Sequence, residues 1–225
     1  LSIEYVVSVA VAGDKAIAGP LVVAALILDA RINAPRFSWP SSGGRRTTTV
    51  DDFDSLPEQR RPQISDALRA RAAGYSVLVC SPHQLNEDPS RQLRTNTMGR
   101  ALVRAVEHAM YRNPRFRLHI DRTRILASSV DPIPVQYVGN GKQELHRGKE
   151  THPWQLDAAY AVARAHRDVW MYEAATEHPA FDFEVNYGYA SPPHRRALET
   201  LGPTRYHRRR SSLVREISGS KLEAP

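Results

Sequence analysis

The sequence predicts an α/β protein, a sheet layered with helices, on three observations. Two apolar, strand-length runs, residues 3–11 and 21–29, flank a short turn that carries Gly13, Asp14 and Lys15. Long segments with helical spacing of apolar residues follow at 95–111 and 153–175. Between and before them, short strand-like runs return at 75–80, 116–121 and 132–138. Strands alternating with helices in one chain fold as stacked layers of the two.

The first two runs predict a β-hairpin buried on at least one face. Its tip is a suitable place for chemistry, because rigid strands fix the backbone N–H groups of the loop between them. Residues 34–49 are rich in Pro, Ser, Gly and Thr and contain Arg45 and Arg46, which predicts a mobile loop. Ser55 with Glu58 three residues later reads as a capping box, and Pro57 suits a first helical turn. A helix is therefore expected from there to about Ala73, ended by Gly74. Residues 75–80 form a short strand and 82–94 a polar, turn-rich stretch. Met98, Leu102, Ala105, Val106 and Ala109 make one apolar face of a helix over 95–111. The run 116–121 is expected as a strand ending in Asp121, 132–138 as another strand, and 139–148 as a basic loop. The helix at 153–175 has small residues on several faces, which suits close packing on a sheet. The tail from Ser218 reads as disordered.

Composition narrows the classes. The 225 residues are 41% apolar, enough for one substantial core. No stretch is long and apolar enough to span a bilayer, so no membrane partner is expected. The first residues carry no export pattern, and the single cysteine, Cys80, rules out an internal disulfide and suits a reducing compartment, so cytoplasm is expected. The net charge of +7 comes mostly from arginine, lysine standing only at positions 15, 142, 149 and 221. Arginine forks match phosphate oxygens, so an anionic polymer is one reading of that charge and a solvated surface the other.

Several motifs then agree in order with one family. Gly13 and Ala18-Gly19-Pro20 keep the frame of D-E-A-G-R-G-P-L-A-G-P, with Ala10 and Val11 where D-E would stand. Residues 163–168 resemble A-K-V-T-R-D, and 178–183 resemble H-P-x-Y-G-F. From Phe183 the spacing holds through Asn186-Tyr187-Gly188-Tyr189, His194, Ala197-Leu198, Gly202-Pro203-Thr204 and His207-Arg208-Arg209. The chain thus resembles the type 2 ribonucleases H, the ribonuclease HII family, over most of residues 1–215. The resemblance implies a ribonuclease H-like fold, a mixed central sheet flanked by helices with a helical C-terminal extension. It divides the chain into a core at 1–180, an extension of the same domain at 181–215 and a disordered tail at 216–225, as a monomer.

The family hydrolyses the RNA strand of RNA–DNA hybrids with two divalent ions held roughly 3.5–4 Å apart by four carboxylates. Mg²⁺ or Mn²⁺ suits such oxygen donors. Carried over by position, the middle-strand acid falls on Asp121 and the acid before the long helix on Glu150, the two expected metal ligands. The strand-one pair falls on Ala10 and Val11, which bind no metal, and Asp14 is the remaining candidate catalytic acid, in the place of the loop arginine. Read without the family, Asp121 is a strand-end cap, Glu150 compensates a helix dipole and Asp14 is a turn acid. The family reads the ribose 2′-OH with the G-R-G loop and the tyrosine of G-Y-G-T, positions held here by Gly13 and Tyr189, while Lys15 replaces the second glycine. His207, Arg208 and Arg209 form a basic run expected to meet phosphates. Where the family reads S-K-K after N-D, this chain has Phe53, Asp54 and Ser55.

Three functions follow as expectations. The first is a nucleic-acid-binding protein for RNA–DNA hybrid or ribonucleotide-containing duplex, with a degenerate metal site and weak or no cleavage. The second is an active metal-dependent endonuclease using Asp14, Asp121 and Glu150. The third is a protein–protein module that reuses the fold and needs no metal.

Overall fold

The structure is a computed structural model and describes residues 4–41, 43–129, 131–146 and 152–219, the side chain of Asp121 excepted. In chain order its strands are β1 (Tyr5–Ala12), β2 (Leu21–Asp29), β3 (Phe37–Ser41), β4 (Gly44–Thr48), β5 (Gly74–Cys80), β6 (Arg124–Ala127) and β7 (Gln143–Leu145). Its helices are α1 (Arg61–Arg71), α2 (Pro82–Glu87), α3 (Arg91–Arg112), α4 (Val135–Val138), α5 (Trp154–Glu177), α6 (Phe183–Asn186), α7 (Pro192–Leu201) and α8 (Ser212–Gly219). No helix among the described residues is long and apolar enough to cross a membrane.

One sheet runs in the order β5-β2-β1-β6-β7, and β3 and β4 pair separately. β1 and β2 are the predicted hairpin: the short turn between them forces antiparallel pairing, and the Ala30 N–H closes it on the Glu4 carbonyl at 2.9 Å. β6 runs parallel to β1, from Val6 opposite Arg124 to Val9 opposite Ala127, and β7 runs parallel to β6. Nearly every residue of β1 and β2 is buried, so these central strands are covered on both faces.

That double cover explains one misreading. The run 116–121 alternates apolar and polar residues, the signature of a strand with one wet face, and it is not a strand. The strand is the short, continuously apolar Ile125-Leu126-Ala127, all three fully buried. Internal parallel strands lose the alternation because neither face meets water. Likewise 132–138 holds the helical turn α4 rather than a strand, and β7 lies within the predicted loop at 139–148. The predicted mobile loop at 34–49 is the β3–β4 hairpin. The helix expected from Ser55 starts at Arg61, with Pro62 in its first turn. Ser55 spends its hydroxyl on the Asp52 carbonyl at 2.9 Å, so no box forms. The box in this region is Ser81 with Gln84, opening α2 within the stretch read as turn-rich. The helices at 95–111 and 153–175 and the strand at 75–80 are present.

Two compact units share the chain, one made of Leu1–Val11, Val23–Leu78 and Arg94–Ala165, the other of Ala12–Val22, Val79–Leu93 and His166–Pro225. In the first, α3 lies on β5: Ser76 Oγ donates to the Ala101 carbonyl at 2.6 Å, and a Cβ on Gly74 would strike the Ala105 carbonyl. In the second, Ile17, Met171, Phe181, Phe183, Leu198, Tyr206, Val214 and Ile217 form one apolar cluster. Burying each such side chain stabilises by about 1.5–3 kcal/mol.

Candidate functional site

Ala10 and Val11, near the end of β1, belong to the first unit. Ala10 is fully buried and Val11 nearly so. The register continues one step past β6: the Ser128 N–H donates to the Val9 carbonyl at 3.0 Å, and Ser128 Oγ accepts from the Val11 N–H at 3.0 Å. Ser128 is therefore the residue that the neighbouring strand presents beside Ala10. Asp121, expected at that place, lies in a single turn at Ile120–Arg122 that precedes β6. Arg124, the first residue of β6, pairs with Val6, so Arg124 already lies about 13 Å of strand from the Ala10 level, and Asp121 precedes it. The carry-over to Asp121 is thus corrected: it sits at the wrong end of the strand to share an ion with position 10. Asp131, the next acid after Ser128, is tied to Arg94 at 2.9 Å. Glu150 lies outside the described residues.

In the same unit, Asp157 occupies the first turn of α5, half-buried. Burial drives its carboxyl up to about 6, and the nearby Asp51 charge adds to that while His152 opposes it. Among the described residues no group of three or more His, Cys, Asp or Glu could hold a metal ion.

The turn at residues 13–20 belongs to the second unit, which builds it from inside. Arg167, fully buried on α5, donates from Nε to the Pro20 carbonyl at 3.0 Å, from one terminal nitrogen to Ala18 at 3.0 Å and from the other to Tyr187 at 2.6 Å. Arg208 donates to the Gly19 and Pro20 carbonyls at 3.0 and 2.9 Å and to Asp14 at 3.4 Å. The Ile17 and Ala18 N–H groups both reach the Gly188 carbonyl, at 2.9 and 3.1 Å. Gly13 has φ +82°, and a Cβ there would fall on the Arg167 side chain. Burial, and next the Arg167 charge, work against the Arg208 guanidinium, and the Asp14 carboxylate supports it. Each of these contacts shapes the turn's backbone rather than filling its outer face. Asp14 and Lys15 project from it, exposed.

The remaining predicted residues divide. Tyr189 is half-buried, its ring 5.5 Å from the Arg167 guanidinium. His207 is fully buried and Arg208 nearly so, which corrects the expectation that they meet phosphates: both face inward. Arg209 and Arg210 beside them are exposed. Arg167 and Ser128 are site residues that the sequence reading missed. Arg167 carried a signal, the R-D match on the long helix, but nothing in its charge announces full burial.

Comparison with known proteins decides the family. A family model described as Ribonuclease HII matches residues 11–216. The chain belongs to the ribonuclease HII family. Ribonuclease HII of Chlorobium phaeobacteroides is 28% identical over 198 residues, 88% of this chain and 85% of that protein. Ribonuclease HII of Rhodopseudomonas palustris is 31% identical over 198 residues, 88% of this chain and 63% of the relative. In fold, the chain is similar to ribonuclease H2 from Pyrococcus horikoshii, with a TM-score of 0.67 at 18% identity over 98% of this chain and 100% of the other. Ala10, Val11 and Ser128, side by side near the end of β1, do not fit divalent ions: two are hydrocarbon, and the third is a neutral hydroxyl.

Proposed function

We propose that this protein binds RNA–DNA hybrid, or duplex containing ribonucleotides, and does not cleave it. The observation that carries the reading is Ser128 beside Ala10 and Val11 at the end of β1. In-line hydrolysis with two ions needs anionic oxygens that fix both ions and lower the pKa of an attacking water. Alanine and valine offer none, and a serine hydroxyl carries no charge to hold a divalent ion against its hydration.

Binding is a separate matter, because it asks for shape and positive charge. The turn at 13–20 keeps its glycine and is held by two buried guanidiniums, so its backbone N–H groups stay pre-set. Gly13, Lys15 and Tyr189 are the residues proposed to meet the sugar, with the exposed Arg209 meeting phosphate. His207 and Arg208 serve as the supports beneath them.

The test is a binding and cleavage assay on a hybrid, and on a duplex with one ribonucleotide, in Mg²⁺, in Mn²⁺ and in chelator. Binding is expected under all three conditions, weakening with salt, with no cut product. Metal-dependent cleavage that Glu150→Gln abolishes would overturn the reading in favour of an enzyme with a reduced carboxylate set.

A further inference from the structure

The β3–β4 hairpin, Phe37–Ser41 and Gly44–Thr48, is a two-stranded ribbon paired to no other strand. It is built for exposure. Thr47 opposes Ser38, their hydroxyls 2.9 Å apart, and Arg45 opposes Pro40, all four side chains on one open face. On the other face Arg46 opposes Trp39, and Thr48 opposes Phe37, with both aromatic rings half-buried. The aromatics therefore anchor the ribbon while Arg45 and Arg46 stand exposed near its tip, and Arg36 stands exposed at its base.

Charge says what this surface meets. From residue 30 to residue 50 the sequence contains four arginines and no acid. Arg31 is spent on Asp29 at 2.7 Å. Arg36, Arg45 and Arg46 have neither an ion pair nor a side-chain hydrogen bond among the described residues. The segment that follows, Val50–Ser55, is the reverse, with Asp51, Asp52 and Asp54 and no cation. A polyanion approaching here is repelled by that segment and attracted by the ribbon. Strands of five residues reach about 17 Å, long enough to span several phosphates of an A-like duplex.

We infer that the β3–β4 ribbon is a phosphate-backbone contact for the bound duplex, made by Arg45 and Arg46 and independent of base sequence. The inference rests on the reading of this protein as a hybrid binder and names the surface that supplies part of the affinity. Each arginine seated on a phosphate releases about one condensed counterion, which appears in the salt dependence of binding.

The test uses the full chain, a fluorescently labelled RNA–DNA hybrid and chelator, with affinity measured across a range of KCl. R45A/R46A is expected to bind several-fold more weakly and to lower the slope of log K against log salt by about two. Both side chains are exposed, so an unchanged urea midpoint is expected to accompany the loss. R31A, which removes an arginine already paired, is expected to keep the parent slope. A parent-like slope in R45A/R46A, with the parent still binding, overturns the ribbon assignment and leaves hybrid binding standing. An equal loss in R31A overturns it too, since that would report overall charge. Salt-independent binding by the parent overturns both readings and points to a protein partner.

Discussion

His207 donates its Nε2 hydrogen to Nε2 of His194 across 3.0 Å, in the interior of the second unit. The partners fix both tautomers. His194 Nδ1 lies 2.8 Å from the Tyr189 carbonyl and must donate to it, which leaves Nε2 as an acceptor. His207 Nδ1 accepts from the Thr204 N–H at 2.9 Å, so its hydrogen resides on Nε2. Both rings are fully buried and both are neutral, since a second proton on either would set two donors against each other.

Acid should therefore unfold this protein earlier than a chain without the pair. Burial first, then the repulsion a proton on His207 would meet from the His194, His178 and Arg209 side, bring His207 down to about 3, and burial also lowers His194. The unfolded rings take up protons near 6.5 while the folded rings do not, so the unfolded state binds more protons and stability falls as pH drops from about 6.5 towards 3. Urea midpoints measured between pH 4.5 and 7.5 should decline steadily towards acid. His207→Asn should flatten part of that decline while lowering stability at pH 7.5, because a buried acceptor on His194 loses its donor. An unaltered pH profile in the variant would remove the histidine pair from the account.

Arg167 should be among the most costly side chains to lose. Its three donors satisfy carbonyls of Ala18, Pro20 and Tyr187 that lie away from water. Arg167→Ala removes the donor from the Ala18 and Tyr187 carbonyls, while Pro20 keeps Arg208, and it opens a cavity, for an expected loss of about 3–5 kcal/mol. Arg167→Lys keeps the charge but not the fork, and should lose roughly half as much. Denaturant unfolding checks both, and equal stability of the lysine variant and the parent would show that charge alone suffices.

Asp157 has the opposite pH signature from the histidines. Burial raises its carboxyl to about 6 from an ordinary 3.8, so between those values the folded state holds the proton and the unfolded state does not. Its contribution to stability is full below about 4 and is lost as pH rises through about 6. Asp157→Asn should then stabilise by roughly 1–2 kcal/mol at pH 7.5, the full shift being cut by the water that still screens the half-exposed carboxyl, and by almost nothing at pH 4. Comparing unfolding of parent and variant at the two pH values isolates this group from the histidine pair, which both chains share.

The elements with strong local patterns were legible in the sequence: the β1–β2 hairpin around Gly13, the long helices and the frame from Phe183 to Arg209. What was hidden was hidden for physical reasons. β6 is too short and too evenly apolar to announce a period, so the alternating run at 116–121 took its place and carried the site assignment to Asp121. Arg167, Arg208 and His207 look like solvated charge in one dimension. The burial of Arg167 and Arg208 depends on carbonyls supplied by a turn about 150 or more residues away in the chain, and that of His207 on its bonds to His194 and Thr204. Pro, Ser and Gly around 34–49 read as a mobile loop, although cross-strand partners such as Trp39 and Arg46 pair there.

The same register sets a demand on any attempt to build a two-metal site at the end of β1. Placing Asp at position 10 and Glu at position 11 supplies only the strand-one pair, and a third oxygen must come from the neighbouring strand, where Ser128 stands. A10D/V11E should therefore remain inactive, and its two adjacent carboxylates should destabilise the fold by mutual repulsion in a buried place. Adding S128D supplies the third anionic ligand, and divalent ions should then stabilise the protein by binding the folded state alone. The expected result is an Mn²⁺-dependent rise in Tm, and hybrid cleavage, in A10D/V11E/S128D but not in A10D/V11E or the parent. If A10D/V11E with Asp121 intact already cleaves, and Asp121→Asn on that background stops it, then Asp121 reaches the ions and the assignment of Ser128 is overturned.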